Sequence, residues 1–129
     1  MKPLALTGIT VLTLGLALPA SAQEPDIVLK CGGIGIEESS SMLQAQSAHS
    51  LTILFSTEQG GYVSDVRTRI ETTRSPAVAT NDQCGPVAQV DVAQPGEYRI
   101  RAELDGVVRE QTVRLAPRGG TRIVLRWPD

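Results

Sequence analysis

The stretch Gln94-Pro95-Gly96-Glu97-Tyr98-Arg99-Ile100-Arg101-Ala102-Glu103-Leu104-Asp105-Gly106 decides the fold class of this chain. Proline fixes φ and the following glycine supplies a flexible position, so residues 94–97 form a compact turn. Tyr98, Ile100, Ala102 and Leu104 then alternate with Arg99, Arg101, Glu103 and Asp105. That period of two belongs to a strand with one face buried and one in water. Asp105-Gly106 is a favoured two-residue hairpin turn, and residues 107–115 supply the returning strand.

The same texture runs outward in both directions. Pro117-Arg118-Gly119-Gly120 turns again, and residues 121–127 close with Ile123, Leu125 and Trp127 inward and Arg122, Val124 and Arg126 outward. Upstream, residues 87–92 form a strand, and residues 77–80 a short one before the turn-rich residues 81–86. Residues 62–71 alternate, with Tyr62, Ser64, Val66, Thr68 and Ile70 on one face. Residues 51–56 suit a strand with both faces partly covered. Residues 27–29 suit an edge strand or a segment docked on the core. Residues 37–49 are mostly good helix formers, with a weak stripe at Met42, Ala45 and His49, and predict one short helix. Seven short strands with turns about every ten residues predict an all-β fold. The expected form is a seven-stranded antiparallel Greek-key sandwich with one short N-terminal helix.

The chain has 129 residues. Its start carries Lys2, an apolar run from Leu4 to Leu18, and Ala20-Ser21-Ala22, the pattern of a secretory signal peptide over residues 1–22. Residues 23–129 then form a single small domain. Losing Lys2 leaves eleven Lys and Arg against fourteen Asp and Glu, a net charge near −3. A nucleic-acid binder would be strongly basic, so that class is disfavoured. No later apolar run reaches the ~18 residues of a membrane span. The expected location is the periplasm or the extracellular space.

Two cysteines follow the signal segment, Cys31 and Cys84. An isolated pair in an oxidising compartment is expected to bridge. Their separation excludes a CxxC redox motif. A metal site needs more ligands than these and the one histidine, His49, supply. No metal or cofactor is expected.

Several motifs have a structural reading that outweighs a catalytic one. Gly32-Gly33-Ile34-Gly35 lacks the Gly-Lys-Ser/Thr of a phosphate loop and reads as a tight turn. Glu37 and Glu38 suit the positive end of a helix dipole. His49 has serines beside it in sequence but no nucleophile-elbow pattern, so no catalytic residue is assigned and the chain is not expected to be an enzyme. Ten arginines stand against two lysines. Arg67, Arg69, Arg99, Arg101, Arg122 and Arg126 all fall on predicted outward faces, a possible ligand-binding face for carboxylate, phosphate or glycan. The competing reading is a solvated face interleaved with Glu71, Glu97, Glu103 and Glu110.

The Pro95-Gly96-Glu97-Tyr98-Arg99-Ile100-Arg101-Ala102 segment, with Gly106 and the two closing strands, resembles the end of a carboxypeptidase regulatory-like domain, a transthyretin-like (prealbumin-like) sandwich. From Gly32 to Trp127 the chain is similar to small exported proteobacterial proteins with this domain. The matching positions are Gly32, Gly33, Gly35, Glu38, Phe55, Gly60 or Gly61 with Tyr62, Asp65, Val66, Gly85, Pro86, Pro95, Gly96 and Tyr98. The sandwich family also includes hydrolases of a purine breakdown product. Those need several histidines and a Tyr-Arg-Gly-Ser tail, which this chain lacks. The resemblance implies fold and compartment more than activity. The function expected is a non-catalytic binding or accessory module whose partner is a protein or an anionic envelope component, met at a sheet edge or the arginine face. An inhibitor of a hydrolase is the alternative, acting through residues 72–76 or 81–86, and a small hydrolase is a weaker third.

Overall fold

A computed structural model describes residues 26–129 of the chain; the expected signal peptide, residues 1–22, lies outside them. Eight strands follow one another with one helix near the start. They are β1 (Ile27–Gly32), α1 (Ile36–Gln44), β2 (Leu51–Thr57), β3 (Val66–Thr72), β4 (Val78–Cys84), β5 (Val87–Val92), β6 (Gly96–Leu104), β7 (Val107–Leu115) and β8 (Thr121–Trp127). They form two four-stranded sheets, ordered β1-β5-β2-β8 and β4-β3-β6-β7. The all-β class holds. The count is eight rather than seven, because residues 27–32 form a full edge strand paired with β5 from Ile27–Val92 to Gly32–Val87.

The core lies between the sheets and is built by alternation. Ile27, Leu51, Ile53, Phe55, Val90 and Leu125 come from one sheet, and Val66, Ile70, Tyr98, Ile100, Ala102 and Leu115 from the other. Phe55 and Trp127 stack at a tilt with ring centroids 6.0 Å apart. The two open sides of the sandwich are each closed. On one, a disulfide joins Cys31 of β1 to Cys84 of β4, with Cα atoms 5.0 Å apart. On the other, the Trp127 indole N–H donates to the Val107 carbonyl at 2.9 Å, and Arg109 Nε donates to the Arg126 carbonyl at 2.7 Å.

The turn at residues 94–97 is tied by the Tyr98 hydroxyl, which donates to the Gln94 carbonyl at 2.7 Å. Asp105 and Gly106 take φ of 51° and 80°, the doubly positive backbone of a tight hairpin, and Leu104 pairs with Val107. The 116–120 turn differs from an ordinary hairpin. It carries the chain from β7 across to the opposite sheet, where β8 lies parallel to β2, with Leu51 beside Thr121 and Phe55 beside Leu125. The expectation of a wholly antiparallel sandwich is corrected at this pair. The turn docks on the helix–β2 connection, with the Gly120 N–H donating to the His49 carbonyl at 2.8 Å.

Helix α1 covers the outward face of the first sheet at its middle strands, β5 and β2, so β2 is buried on both faces. The Gln89 amide spans the contact, donating to the Met42 carbonyl at 2.6 Å and to the Thr52 hydroxyl at 3.3 Å. The helix stops at Gln44, and residues 46–48 form a 3-10 turn. His49 is extended, so the Met42–Ala45–His49 stripe is not one helical face. The alternation expected from Tyr62 begins only at Val66. Asp65 takes a positive φ of 60° and resets the direction of the chain, which leaves Tyr62 and Ser64 outside the strand.

Candidate functional site

The largest cleft, about 490 Å³, lies at one end of the sandwich between the glycine-rich turn and the segment before β3. Gly33, Ile34, Gly35, Ile36, Ser39 and Ser40 form one wall; Tyr62, Ser64 and Pro86 form the other. Three large apolar side chains stand in water here: Ile34 is 74% exposed, Ile36 81% and Tyr62 50%.

Local rules explain why the chain presents them. Gly33 takes φ 92° and lies so close to β5 that a Cβ would sit 2.8 Å from Val87 Cγ2. Gly35 takes φ 90° and ψ 148°, a conformation open essentially to glycine. The turn therefore throws Ile34 and Ile36 away from the sheet instead of folding them under it. Glu38, on the first turn of α1, reaches back and accepts hydrogen bonds from the Gly33 N–H at 2.7 Å and the Ile34 N–H at 3.2 Å. The disulfide at Cys31 anchors the same turn from the other side. Ser39, buried, donates to the Ile36 carbonyl at 3.3 Å. The Ile34–Ile36 turn is thus held at both ends, with its apolar tip outward. Glu37 and Asp65, both exposed, each stand one residue from the rim.

The six predicted arginines do not share a face. Arg67 and Arg69 on β3 and Arg99 and Arg101 on β6 lie together on the outward face of the second sheet. Arg122 and Arg126 are on β8 in the first sheet and face the opposite way. Period two separates inward from outward but does not say which sheet a strand joins. The four that meet are interleaved with acid. Glu71 accepts from Arg69 Nε at 3.0 Å and from Arg99 Nη1 at 2.8 Å, and Arg67 Nε stands 3.8 Å from Asp82. Hydrogen bonds from Arg69, then Arg99, hold the Glu71 carboxyl below the usual carboxylate range. Register sets Arg67 opposite Glu103 and Glu97 opposite Arg114.

His49 meets an acid without a nucleophile. Its Nδ1 lies 3.0 and 3.1 Å from the two oxygens of Asp91. The Ser50 hydroxyl points elsewhere and accepts from the Val92 N–H at 3.0 Å. Among the described residues, no hydroxyl is hydrogen-bonded to the imidazole, and the pair lines none of the principal clefts. No group of three or more His, Cys, Asp or Glu side chains among them is placed to hold a metal ion. No described helix is long and apolar enough to cross a membrane.

Of the two segments expected to protrude, residues 73–76 are an exposed loop and residues 81–86 are mostly strand. Residues 81–84 belong to β4 and end at the disulfide. Residues 73–76 form a bend pinned by Arg74, whose Nη2 donates to the Pro95 carbonyl at 3.2 Å. The projecting apolar turn is Ile34–Ile36, which sequence reasoning passed over. Its visible trace was two isoleucines alternating with glycine outside any strand or helix pattern. No family model matches the chain, and no curated protein matches it.

Proposed function

We propose that the protein is a non-catalytic, disulfide-stapled binding module of the periplasm or extracellular space, and that it binds a protein partner at the Ile34–Ile36–Tyr62 tip. The observation that carries this reading is the exposure of three large apolar side chains around the largest cleft, in a domain that otherwise buries its core well. Fully burying an isoleucine is worth roughly 1.5–3 kcal/mol, so Ile34 and Ile36 supply the central anchors of an interface. Holding the turn through Glu38 and Cys31 lowers the ordering cost of binding. Glu37 and Asp65 beside the rim favour a partner with a basic residue next to its apolar contact.

The disulfide and the signal-like residues 1–22 support an oxidising compartment. The two-sheet architecture and the Pro-Gly-x-Tyr turn support a prealbumin-like, carboxypeptidase regulatory-like fold. The commitment of the Ser50 hydroxyl to backbone supports a non-catalytic role for His49 and Asp91. Inhibition of a hydrolase is the second reading. The rigid Ile34–Ile36 turn favours it, since such a turn can fill an apolar cleft on an enzyme.

The test is site-specific photo-crosslinking in the producing cell from positions 34, 36 and 62, with position 112 on β7 as the control. Cross-links from the three tip positions to the same protein, absent from position 112, are expected. Cross-links distributed equally, or from the tip to a second copy of this chain, overturn the reading.

A further inference from the structure

A site independent of the tip lies on the outward face of the β3–β6 pair. The antiparallel register sets Arg69 directly opposite Arg101. Opposed side chains in such a pair have Cβ atoms about 4.5–5.5 Å apart, and like charges there repel. Two acids stand within reach to relieve the contact: Glu103, two residues along the same face, and Glu110, opposite Arg101 on β7. Neither forms an ion pair with it. Arg69 turns to Glu71, whose other oxygen is taken by Arg99, and Arg67 approaches Asp82 at 3.8 Å. Among the described residues Arg101 has no carboxylate within ion-pair distance. Arg67, Arg69 and Arg101 instead line a cleft of about 250 Å³, together with Thr80, Asp82 and Glu103.

We infer that this cleft binds a small tetrahedral oxyanion, a phosphate ion or a phosphomonoester, with Arg101 and Arg69 as its principal contacts. A guanidinium presents its donors in a planar fork, and a phosphate carries oxygens in several directions. One phosphate therefore bridges two opposed forks and replaces their repulsion with two charge-assisted contacts. A planar carboxylate serves one fork well and two poorly. The Thr80 hydroxyl adds a donor on the cleft wall. Asp82 and Glu103 oppose the anion, which gives the reasoning a second sign to test.

The experiment titrates the purified full chain with inorganic phosphate, and separately with glycerol 3-phosphate, at constant ionic strength balanced with chloride, following backbone amide and arginine Nε resonances. Saturable shifts confined to β3, β6 and the neighbouring part of β4 are expected. Arg101→Gln weakens binding by about tenfold or more, the loss of one charge-assisted hydrogen bond. Glu103→Gln tightens it by about threefold, the relief of one exposed like charge. The pair Arg122→Gln and Arg126→Gln, on the other sheet, leaves it unchanged. Tighter binding of the monoester marks a phosphorylated molecule as the source, and tighter binding of the ion marks free phosphate. Absence of saturable shifts for both probes overturns the proposal. So does binding that Arg101→Gln leaves intact, or that the Arg122 and Arg126 changes weaken equally. Should Arg101→Gln not fold, the direction of the Glu103→Gln effect decides.

Discussion

Replacing Cys31 and Cys84 by alanine removes the disulfide that joins the edge strands of the two sheets. The cross-link spans 53 residues of sequence. In the chain-entropy model a loop of that size restricts the unfolded chain by about 14 cal/mol/K, or about 4 kcal/mol at 25 °C. Domains of this size are stable by only about 5–15 kcal/mol, so the loss is a large share of the total. At roughly 2.1 cal/mol/K of unfolding entropy per residue, it lowers the midpoint of thermal unfolding by about 18 °C. The assay is urea unfolding of the wild type, the wild type under reductant, and the Cys31→Ala/Cys84→Ala variant. Reduced protein and variant should lose similar free energy, because the effect acts mainly on the unfolded chain. The slope against urea should also rise, since the uncrosslinked chain exposes more surface on unfolding. The β1 amides should lose hydrogen-exchange protection first, because β1 is an edge strand that pairs only with β5. A loss below about 1 kcal/mol would refute the reasoning. It would mean that β1 and β4 hold the sandwich closed without the bridge.

Tyr98→Phe deletes the hydroxyl that ties the 94–97 turn and should cost about 1 kcal/mol in urea unfolding. Burial raises the Tyr98 pKa, so its contribution is full below the unfolded tyrosine value and is lost as pH rises past about 10. The stability of the phenylalanine variant should fall less steeply over that alkaline range. Gly85→Ala places a Cβ 2.8 Å from the Val63 carbonyl oxygen and 3.0 Å from Phe55 Cδ2, at a φ of 105°. A destabilisation of about 3 kcal/mol or more is expected from clash and strain together, read as a fall in soluble yield and unfolding midpoint. The Glu71 pKa is lowered by Arg69 and Arg99, so its contribution is present above the unfolded carboxylate value and is lost as pH falls through the folded one. Glu71→Gln should lower the midpoint modestly at pH 7 and converge with wild type in acid, so that the variant's midpoint-against-pH curve is flatter below about pH 4.5.

The second half of the fold was legible because its cues agree. The Pro95-Gly96 turn, the strict alternation of β6 and the Asp105-Gly106 hairpin each point to the same strands. Alternation is blind to strand direction and to sheet membership, which is why the parallel pairing of β8 and the division of the arginines were hidden. Edge strands are hard to see in sequence for a related reason. In β4, Asn81, Asp82 and Gln83 read as a turn, but the strand has a solvated face and tolerates them. In β1, Val28 is exposed and Lys30 faces water, so the apolar run of residues 27–29 fits an edge strand and a docked segment equally well. The alternation holds for Val66, Thr68 and Ile70 and fails for Tyr62, because a positive φ at Asp65 cannot be seen in an alternating pattern. The tip escaped notice because glycine-rich turns were read for what they let the backbone do. Here the glycines decide where two isoleucines go.

The central claim is that the protein binds its partner through the apolar tip. The most direct measurement is the affinity of the purified chain for the protein that cross-links from position 36, comparing wild type with Ile34→Ser/Ile36→Ser. Both side chains project into solvent, so the unfolding midpoint should stay unchanged. Losing two anchors should weaken the complex by about a hundredfold or more. Unchanged affinity in a folded double variant would contradict the account and return the search to the sheet edges.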